Sequence, residues 1–538
     1  MRDSRVVTSR LVALVLAVVS AVALSLPVAA QAEQAAARTD AKLSAAIECS
    51  ALETTSFIDV PGAPTSVVSA KVVAAAGSMD EHCHVEGYVA PQVGFALNLP
   101  TKTWNGRYFQ TGCGGLCGMI NIGACSDAQA QGFAVAANNM GHVGHFWRDA
   151  LWGGEQALRE DFGGRSTHVT AVAAKAIIAA YYGAKPAYSY FRGCSTGGRE
   201  GLYEAQHHPD DFDGIIAGDP AFPGRLGALS NNWDANHLLD DAHQPGFTDE
   251  KLAVLNRAVL EACDALDTLA DGIIEDPRRC RFDPATIKCK GGVDRADCLT
   301  DKQVAAAAAL YAGPSNSKGE RLAPGAAPYG SELAWDGLMR RSIADGFLKY
   351  LAFEKPEPQF SYRDFDWDAD VARVRAQAAL YDPVGPGAAP DLSAFHASGG
   401  KLIAYHGWAD PGVPPEGMLD YYGHVAAASG GYDATQDWFR VFMLPGMHHC
   451  RGGDAPNTFD FLAAAIAWVE QGTAPNGVIA TQLEEGGKTV KRTRPLYAYP
   501  SVARYNGTGD VNDAANWHEV KASTMPDDRL DWLWAPAH

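Results

Sequence analysis

The pentapeptide Gly193-Cys194-Ser195-Thr196-Gly197 constrains this chain more than any other stretch. It sits between an aromatic, strand-like run at residues 188–192 and a segment with helical character at residues 196–205. A serine at a strand-to-helix turn, with glycine two residues away on either side, matches a nucleophile elbow, in which a sharp bend thrusts the hydroxyl out of the end of a sheet. The glycines answer a physical need. Strand and helix approach each other too closely for a side chain, and the turn itself uses backbone angles that most residues avoid. An ordinary small-residue turn has the same letters, so the surrounding pattern has to decide between them.

That pattern is an alternation of strands and helices. Short Val-rich runs between residues 47 and 99, broken by Gly and Pro, predict an antiparallel lead-in to a sheet. Next come a strand at 108–111, the loop Gly112-Cys113-Gly114-Gly115-Leu116-Cys117-Gly118, a strand at 132–138 and a helix over Ser166–Tyr182 that Gly183 stops. A further buried strand at 212–217 follows the Ser195 turn. Such alternation predicts a parallel sheet covered on both faces. It breaks between about residues 223 and 392, where helices dominate, among them Asp249–Cys263 and Asp301–Ala312. The second of these opens with a capping box, Thr300 and Gln303. Strands resume at Lys401–Gly407 and Phe439–Leu444, and a helix at 459–471 closes the sheet. The expected class is α/β, an α/β-hydrolase fold with a large inserted lid domain. Residues 33–222 and 393–538 form the two parts of the core, and residues 223–392 form the lid, a kind of insertion that surface loops tolerate.

The N-terminus carries Arg2, Arg5 and Arg10, an apolar segment at 11–26 and an A-x-A site ending at Ala32. Residues 1–32 are therefore expected to be a secretory signal peptide, with the mature protein secreted, extracellular or periplasmic. The net charge of -19, from 44 basic and 63 acidic residues, excludes nucleic acid and anionic membrane surfaces as partners, since both repel an acidic surface. Eleven cysteines in an exported chain point to disulfides, with one thiol left over. Cys49 with Cys83, Cys263 with Cys280 and Cys289 with Cys298 are the local candidates. Of Cys113, Cys117 and Cys125, only two can pair.

A serine hydroxyl needs a base within reach and a carboxylate to orient that base. Ser195, Asp410 and His449 each follow a predicted strand, in the chain order of α/β-hydrolases. His448 competes with His449 as the base, and Asp219, also just past a strand, competes as the acid. The oxyanion that forms during acyl transfer needs amide donors, which the Thr196 amide and the loop at Gly114 and Gly115 offer, with Gly114 the expected glycine.

With these residues in hand, the chain resembles the tannase and feruloyl esterase family, which includes mono(2-hydroxyethyl) terephthalate hydrolases. The likeness rests on Cys194-Ser195, Asp410 and His449-Cys450. It implies a disulfide between Cys194 and Cys450, and through it His449 rather than His448 as the base. It also implies a structural calcium ion in the lid, held by Asp264, Asp267 and Asp271 and the carbonyls of Leu269 and Ile273. Read by themselves, three acids so close in sequence repel one another unless a hard cation or solvent intervenes. No organic cofactor is expected. The implied substrate is a small ester of an aromatic acid such as ferulate, gallate or terephthalate, cleaved through an acyl enzyme. Mono(2-hydroxyethyl) terephthalate hydrolysis is the alternative, and a serine peptidase on the same fold a more distant one. The aromatics between Tyr329 and Trp367 are expected to be mostly lid core, with some walling a slot for a planar acyl group. Arg340 and Arg341 are expected to be exposed helix charges rather than partners for a substrate carboxylate.

Overall fold

The computed structural model describes residues 42–222, 228–323, 325–383, 389–484 and 486–522. The expected leader, residues 1–32, lies outside the described residues. Nine strands form one sheet: β1 (Thr65–Val73), β2 (His82–Val89), β3 (Val93–Pro100), β4 (Arg107–Thr111), β5 (Ala134–Asn138), β6 (Tyr188–Cys194), β7 (Gly214–Gly218), β8 (Lys401–Gly407) and β9 (Phe439–Leu444). Their order is β1-β2-β3-β5-β4-β6-β7-β8-β9. The first three strands pair antiparallel, and every pair from β5 to β9 is parallel.

Every residue of β5 and β7 is buried, which explains why these strands read as unbroken small and apolar runs rather than as alternating ones. Helices α1 (Ser166–Tyr182) and α2 (Thr196–His207) lie on one face of the sheet. The helical segment between β7 and β8 contains α3 (Ala228–Leu238), α4 (Asp249–Cys263), α5 (Asp301–Ala312), α6 (Gly337–Tyr350) and α7 (Asp370–Tyr381), and no strand among its described residues. Beyond it, α8 (Glu416–Ala428) joins the α1 face, while α9 (Phe461–Gln471) covers the other face with Phe461, Leu462, Ala465 and Trp468. The last helix begins two residues later than the periodicity predicts, because Asp460 caps it, its side chain accepting from the Ala463 amide at 2.8 Å.

The insertion has a core of its own, with Leu255, Val259, Leu299, Leu310 and Trp335 at its centre. The Cys263–Cys280 and Cys289–Cys298 disulfides hold its loops. Thr300 and Gln303 make the expected reciprocal cap on α5. A second cluster, in which Phe347, Leu348 and Leu351 meet Trp152 and Phe162, packs the insertion onto the segment that follows β5. The Cys49–Cys83 disulfide ties the N-terminal segment to β2. No helix among the described residues is long and apolar enough to cross a membrane.

One buried cation links the elbow helix to the insertion. Arg199, on α2, is fully buried and donates to the carbonyls of Phe162 at 2.7 Å, Tyr381 at 3.0 Å and Gly163. Its guanidinium also lies over the Phe162 ring. Replacing it by Met keeps most of the volume but strands three buried acceptors, each worth about 1–3 kcal/mol. Arg199→Met should therefore lower the unfolding free energy by about 3 kcal/mol or more, read from urea denaturation.

Candidate active site

Strand β6 ends at Cys194 and α2 begins at Thr196, so Ser195 alone makes the turn, at φ 64° and ψ -122°. Such a conformation costs an L-residue about 1–3 kcal/mol and persists only when its surroundings impose it. They do so here: the Ser195 amide donates to the Gly218 carbonyl at 2.9 Å, and the Ser195 carbonyl accepts from the Arg199 and Ala221 amides, each at 3.0 Å. A Cβ on Gly193 would lie 2.4 Å from the Gly197 backbone, so the helix could not start this close to the strand.

Asp410 follows β8 and is fully buried. One carboxylate oxygen accepts from the amides of Gly412 at 2.8 Å and Val413 at 3.0 Å, which fixes the group's orientation. The other accepts from His449 Nδ1 at 2.6 Å, so His449 Nε2 is left with its lone pair. Burial works against the charge on Asp410, but the His449 and His406 imidazoles outweigh it and hold the carboxyl well below the usual range. Burial likewise works against a charged His449, and the Asp410 carboxylate overcomes that and raises the imidazole above 6.5. Ser195 and His449 line one cavity but make no hydrogen bond to each other, which is common before substrate draws such a pair together.

The structure brings His449, not His448, to Asp410. The side chain of His448 lines a different recess, with Ile273 and Gly446. The disulfide Cys194–Cys450 joins residues 256 apart in sequence, with Cα atoms 5.9 Å apart, and it flanks both Ser195 and His449. Asp219, the competing acid, has no hydrogen bond to His449. It is buried behind the disulfide, where it accepts from the Gly407 amide at 3.0 Å and lies 3.5 Å from Cys194 Sγ. Burial pushes its carboxyl up to about 6. Between the two acids stands a residue that the sequence reading missed, His406. Its Nε2 donates to the Val413 carbonyl at 2.8 Å and lies 3.4 Å from Asp410 and 3.7 Å from Asp219. The available signal was a histidine at a strand end, four residues before the acid.

The cavity above Ser195 has a volume of about 560 Å³. Gly114, Gly115 and Thr196 line it, and their amides make no hydrogen bond to any described residue. Cys113 and Cys117 pair with each other, leaving Cys125 as a buried free thiol, which burial pushes far above its ordinary pKa. As expected, most aromatics of the insertion are packed in its interior. Of the aromatics between Tyr329 and Trp367 only Phe347 reaches the wall; the other aromatic side chains there are Phe146, Trp147 and Phe162, on the segment after β5, and Tyr405 of β8. Tyr362 and Phe365 are buried in the packing of the insertion instead. Arg340, in contrast to expectation, is not an exposed helix charge. It is 5% exposed, forms part of the wall, and points toward Asn231 at 3.2 Å and Asp234 at 3.7 Å. Burial pushes Asp234 up to about 7 even against that guanidinium. Arg341 does lie partly exposed, paired with Asp345.

In the insertion, the Asp264 carboxylate accepts from the amides of Asp271 at 3.3 Å and Gly272 at 2.9 Å, and Asp267 accepts from Leu269 at 3.0 Å. Arg494 pairs with Asp271, and Arg504 lies 3.8 Å from Asp267. The carbonyls of Leu269 and Ile273 accept no hydrogen bond from a described residue. The donors are all hard oxygens and suit calcium in kind. The three carboxylates do not converge within 4.8 Å of one another, and arginines answer part of their charge.

A strained serine at the end of a parallel strand, an imidazole held by a buried carboxylate and free amides beside them define an α/β-hydrolase. Residues 73–520 match the family model described as tannase and feruloyl esterase. The chain is 34% identical to the mono(2-hydroxyethyl) terephthalate hydrolase of Piscinibacter sakaiensis, over 84% of this chain and 86% of that one. It is 33% identical to a probable feruloyl esterase of Arthroderma benhamiae, over 79% and 82% respectively. Among solved structures, feruloyl esterase B from Aspergillus oryzae superposes with a TM-score of 0.76 at 28% identity, covering 88% of this chain and all of that one. The chain belongs to the tannase and feruloyl esterase family, and it is a carboxylic ester hydrolase.

The geometry sets a titration that can be read directly. His449 should keep its proton to a pH above 6.5 in the native enzyme. In Asp410→Asn the principal raising charge is gone and burial, with Arg340, opposes only the weaker pull of Asp219, so the ring should lose its proton at a lower pH than in the native enzyme. Ring-nitrogen NMR of the two forms gives both values.

Proposed function

We propose that the enzyme hydrolyses esters of aromatic acids of the ferulate type, with Ser195 as nucleophile, His449 as general base and then acid, and Asp410 as the group that orients the imidazole. The observation that carries this reading is the 2.6 Å contact of His449 with a fully buried carboxylate, beside an elbow serine in a cavity walled by rings. His449 Nε2 takes the Ser195 proton as the oxygen attacks the ester carbonyl. The amides of Thr196 and Gly114, free of other partners, receive the negative charge that develops on the carbonyl oxygen. Collapse of the tetrahedral species expels the alcohol, which takes the proton from His449. Water, deprotonated by the same imidazole, then attacks the acyl enzyme and releases the aromatic acid. Phe146, Trp147 and Phe347 supply the flat surfaces against which a planar acyl group packs.

A second reading, a terephthalate monoester as substrate, is favoured by Arg340, a buried cation in the same wall. Relative rates on methyl ferulate, methyl gallate and a terephthalate monoester decide between them. On whichever ester is best, Ser195→Ala should lose at least about 10⁴-fold in kcat, since only binding and the amide donors remain. An unchanged rate would remove Ser195 from the mechanism.

Secretion belongs to the same proposal, supported by five disulfides among the described residues, which persist only in an oxidising compartment. So does calcium. Asp264, Asp267 and Asp271 with the carbonyls of Leu269 and Ile273 would hold the ion, far from Ser195 in sequence and beside the Cys263–Cys280 disulfide. It would neutralise the acids and fix the loop, with no part in bond cleavage. Adding EGTA should lower the melting temperature by on the order of 5 °C, restored by calcium, as for any ligand bound by the native state alone. Identical melting in both conditions would rule the site out.

A further inference from the structure

We propose that the Cys113–Cys117 disulfide is a positioning device for the oxyanion donor at Gly114, setting the turnover rate rather than the stability of the fold. The proposal rests on the reading of Ser195 as nucleophile.

The loop between β4 and the segment beyond Gly118 has two adjacent glycines at its centre, the most pliable backbone available. Gly115 and Cys117 both have positive φ, 57° and 56°. A loop of that kind left to itself samples many orientations, and its amides turn readily toward water. An oxyanion donor works only if its N–H already points at the place where charge develops.

The structure removes that freedom residue by residue. The Cys113 amide donates to the buried carboxylate of Glu200 at 3.1 Å. The Leu116 amide donates to the Phe146 carbonyl at 2.6 Å, and the Leu116 carbonyl faces Nε2 of buried His142 at 2.8 Å. The Cys117 amide donates to the Gly114 carbonyl at 3.0 Å, and the Thr196 hydroxyl donates to the Gly115 carbonyl at 2.7 Å. Only the Gly114 and Gly115 amides stay uncommitted among residues 113–117, and both residues line the cavity. The disulfide closes this set into a ring, with Cα atoms 5.7 Å apart and a sequence separation of 4.

That separation identifies what the bond is for. A crosslink constrains the unfolded chain in proportion to the logarithm of the loop it closes, so the Cys113–Cys117 ring does the least of the five for global stability. Its effect is local, on the four peptide groups it encloses, those of the Gly114 and Gly115 amides among them. Cys113 itself lines the cavity, within reach of small molecules that enter it.

The test is the double variant Cys113→Ser/Cys117→Ser, assayed on the preferred ester. The expected result is a kcat lower by about 30-fold, a part of what deleting a whole oxyanion donor removes, with KM within about twofold. Affinity for an arylboronic acid, which forms a tetrahedral adduct on the serine, should fall by a similar factor. Inhibition by ferulate, which resembles the ground state, should stay as it was, and the melting temperature should drop only slightly. A folded variant with kcat within twofold of the native enzyme overturns the proposal. So does a variant in which ferulate inhibition weakens along with kcat, since that marks a collapsed cavity. Should the variant fail to fold, partial reduction of the native enzyme gives the same reading: activity should fall in step with free thiol on the peptide carrying Cys113 and Cys117, counted by mass spectrometry, while Cys194–Cys450 remains intact, and loss that follows only the latter refutes the idea. Native enzyme that no fluorophosphonate labels at Ser195 would sink the underlying reading instead.

Discussion

The proposed chemistry depends on closing a gap across the sheet. Ser195 follows β6 and His449 follows β9, and β7 and β8 stand between them. Three strand spacings are roughly 14 Å, far more than a serine and an imidazole can bridge. The loop after β9 must therefore lean back over the ends of two strands, and the Cys194–Cys450 bond holds it there. The sulfurs belong to the residues next to Ser195 and His449, the proposed nucleophile and base, so the tie acts where a displacement of 1 Å would be most damaging. Asp410, at the end of β8, lies under the span and completes it from below.

Holding these groups close concentrates charge in a buried space. Asp410 and Asp219 are both fully buried, and the imidazoles of His406 and His449 are the cationic counterparts at hand. Two buried carboxylates so close cannot both be comfortable as anions. The structure resolves this by environment: Asp410 receives two amides and two imidazoles and stays charged, whereas Asp219 is pushed up to about 6. Concentrating the anion on Asp410 raises His449, which in the proposed mechanism would make it a stronger base toward the Ser195 hydroxyl.

Which parts of this could be read from sequence follows from how local their causes are. The elbow, the strands around it and α1 are encoded by neighbours along the chain, and their boundaries fall within two residues of where the periodicity puts them: the strands expected at 132–138 and 212–217 begin at Ala134 and Gly214, and the last helix waits for the Asp460 cap. The pairing of His449 with Asp410 was reachable only through family likeness, because His448 and His449 are equivalent until the backbone turns at Cys450. Arg340 is the clearest failure. Its helix reads as amphipathic, but its burial depends on Asn231 and Asp234 on another helix, more than a hundred residues away. The rings of Phe146 and Trp147 fall in a stretch without helical or strand period, so nothing local marks them as cavity wall.

These failures share an origin that bears on specificity. The groups assigned to bond making and breaking all come from loops that follow core strands or from the first turn of α2, places that the strand and helix pattern marks. The wall is composite: Phe146 and Trp147 come from the core, Phe347 and Arg340 from α6 in the insertion. The insertion side is also one packed body, since Arg340 on α6 is held by Asn231 and Asp234 on α3. A substitution on α3 that touches no substrate would therefore still move the guanidinium in the wall, while leaving the serine, the imidazole and their disulfide where they are. Acyl preference can thus drift through long-range contacts of the insertion without disturbing the machinery beneath it, which accounts physically for one family containing proteins named for ferulate and for terephthalate esters.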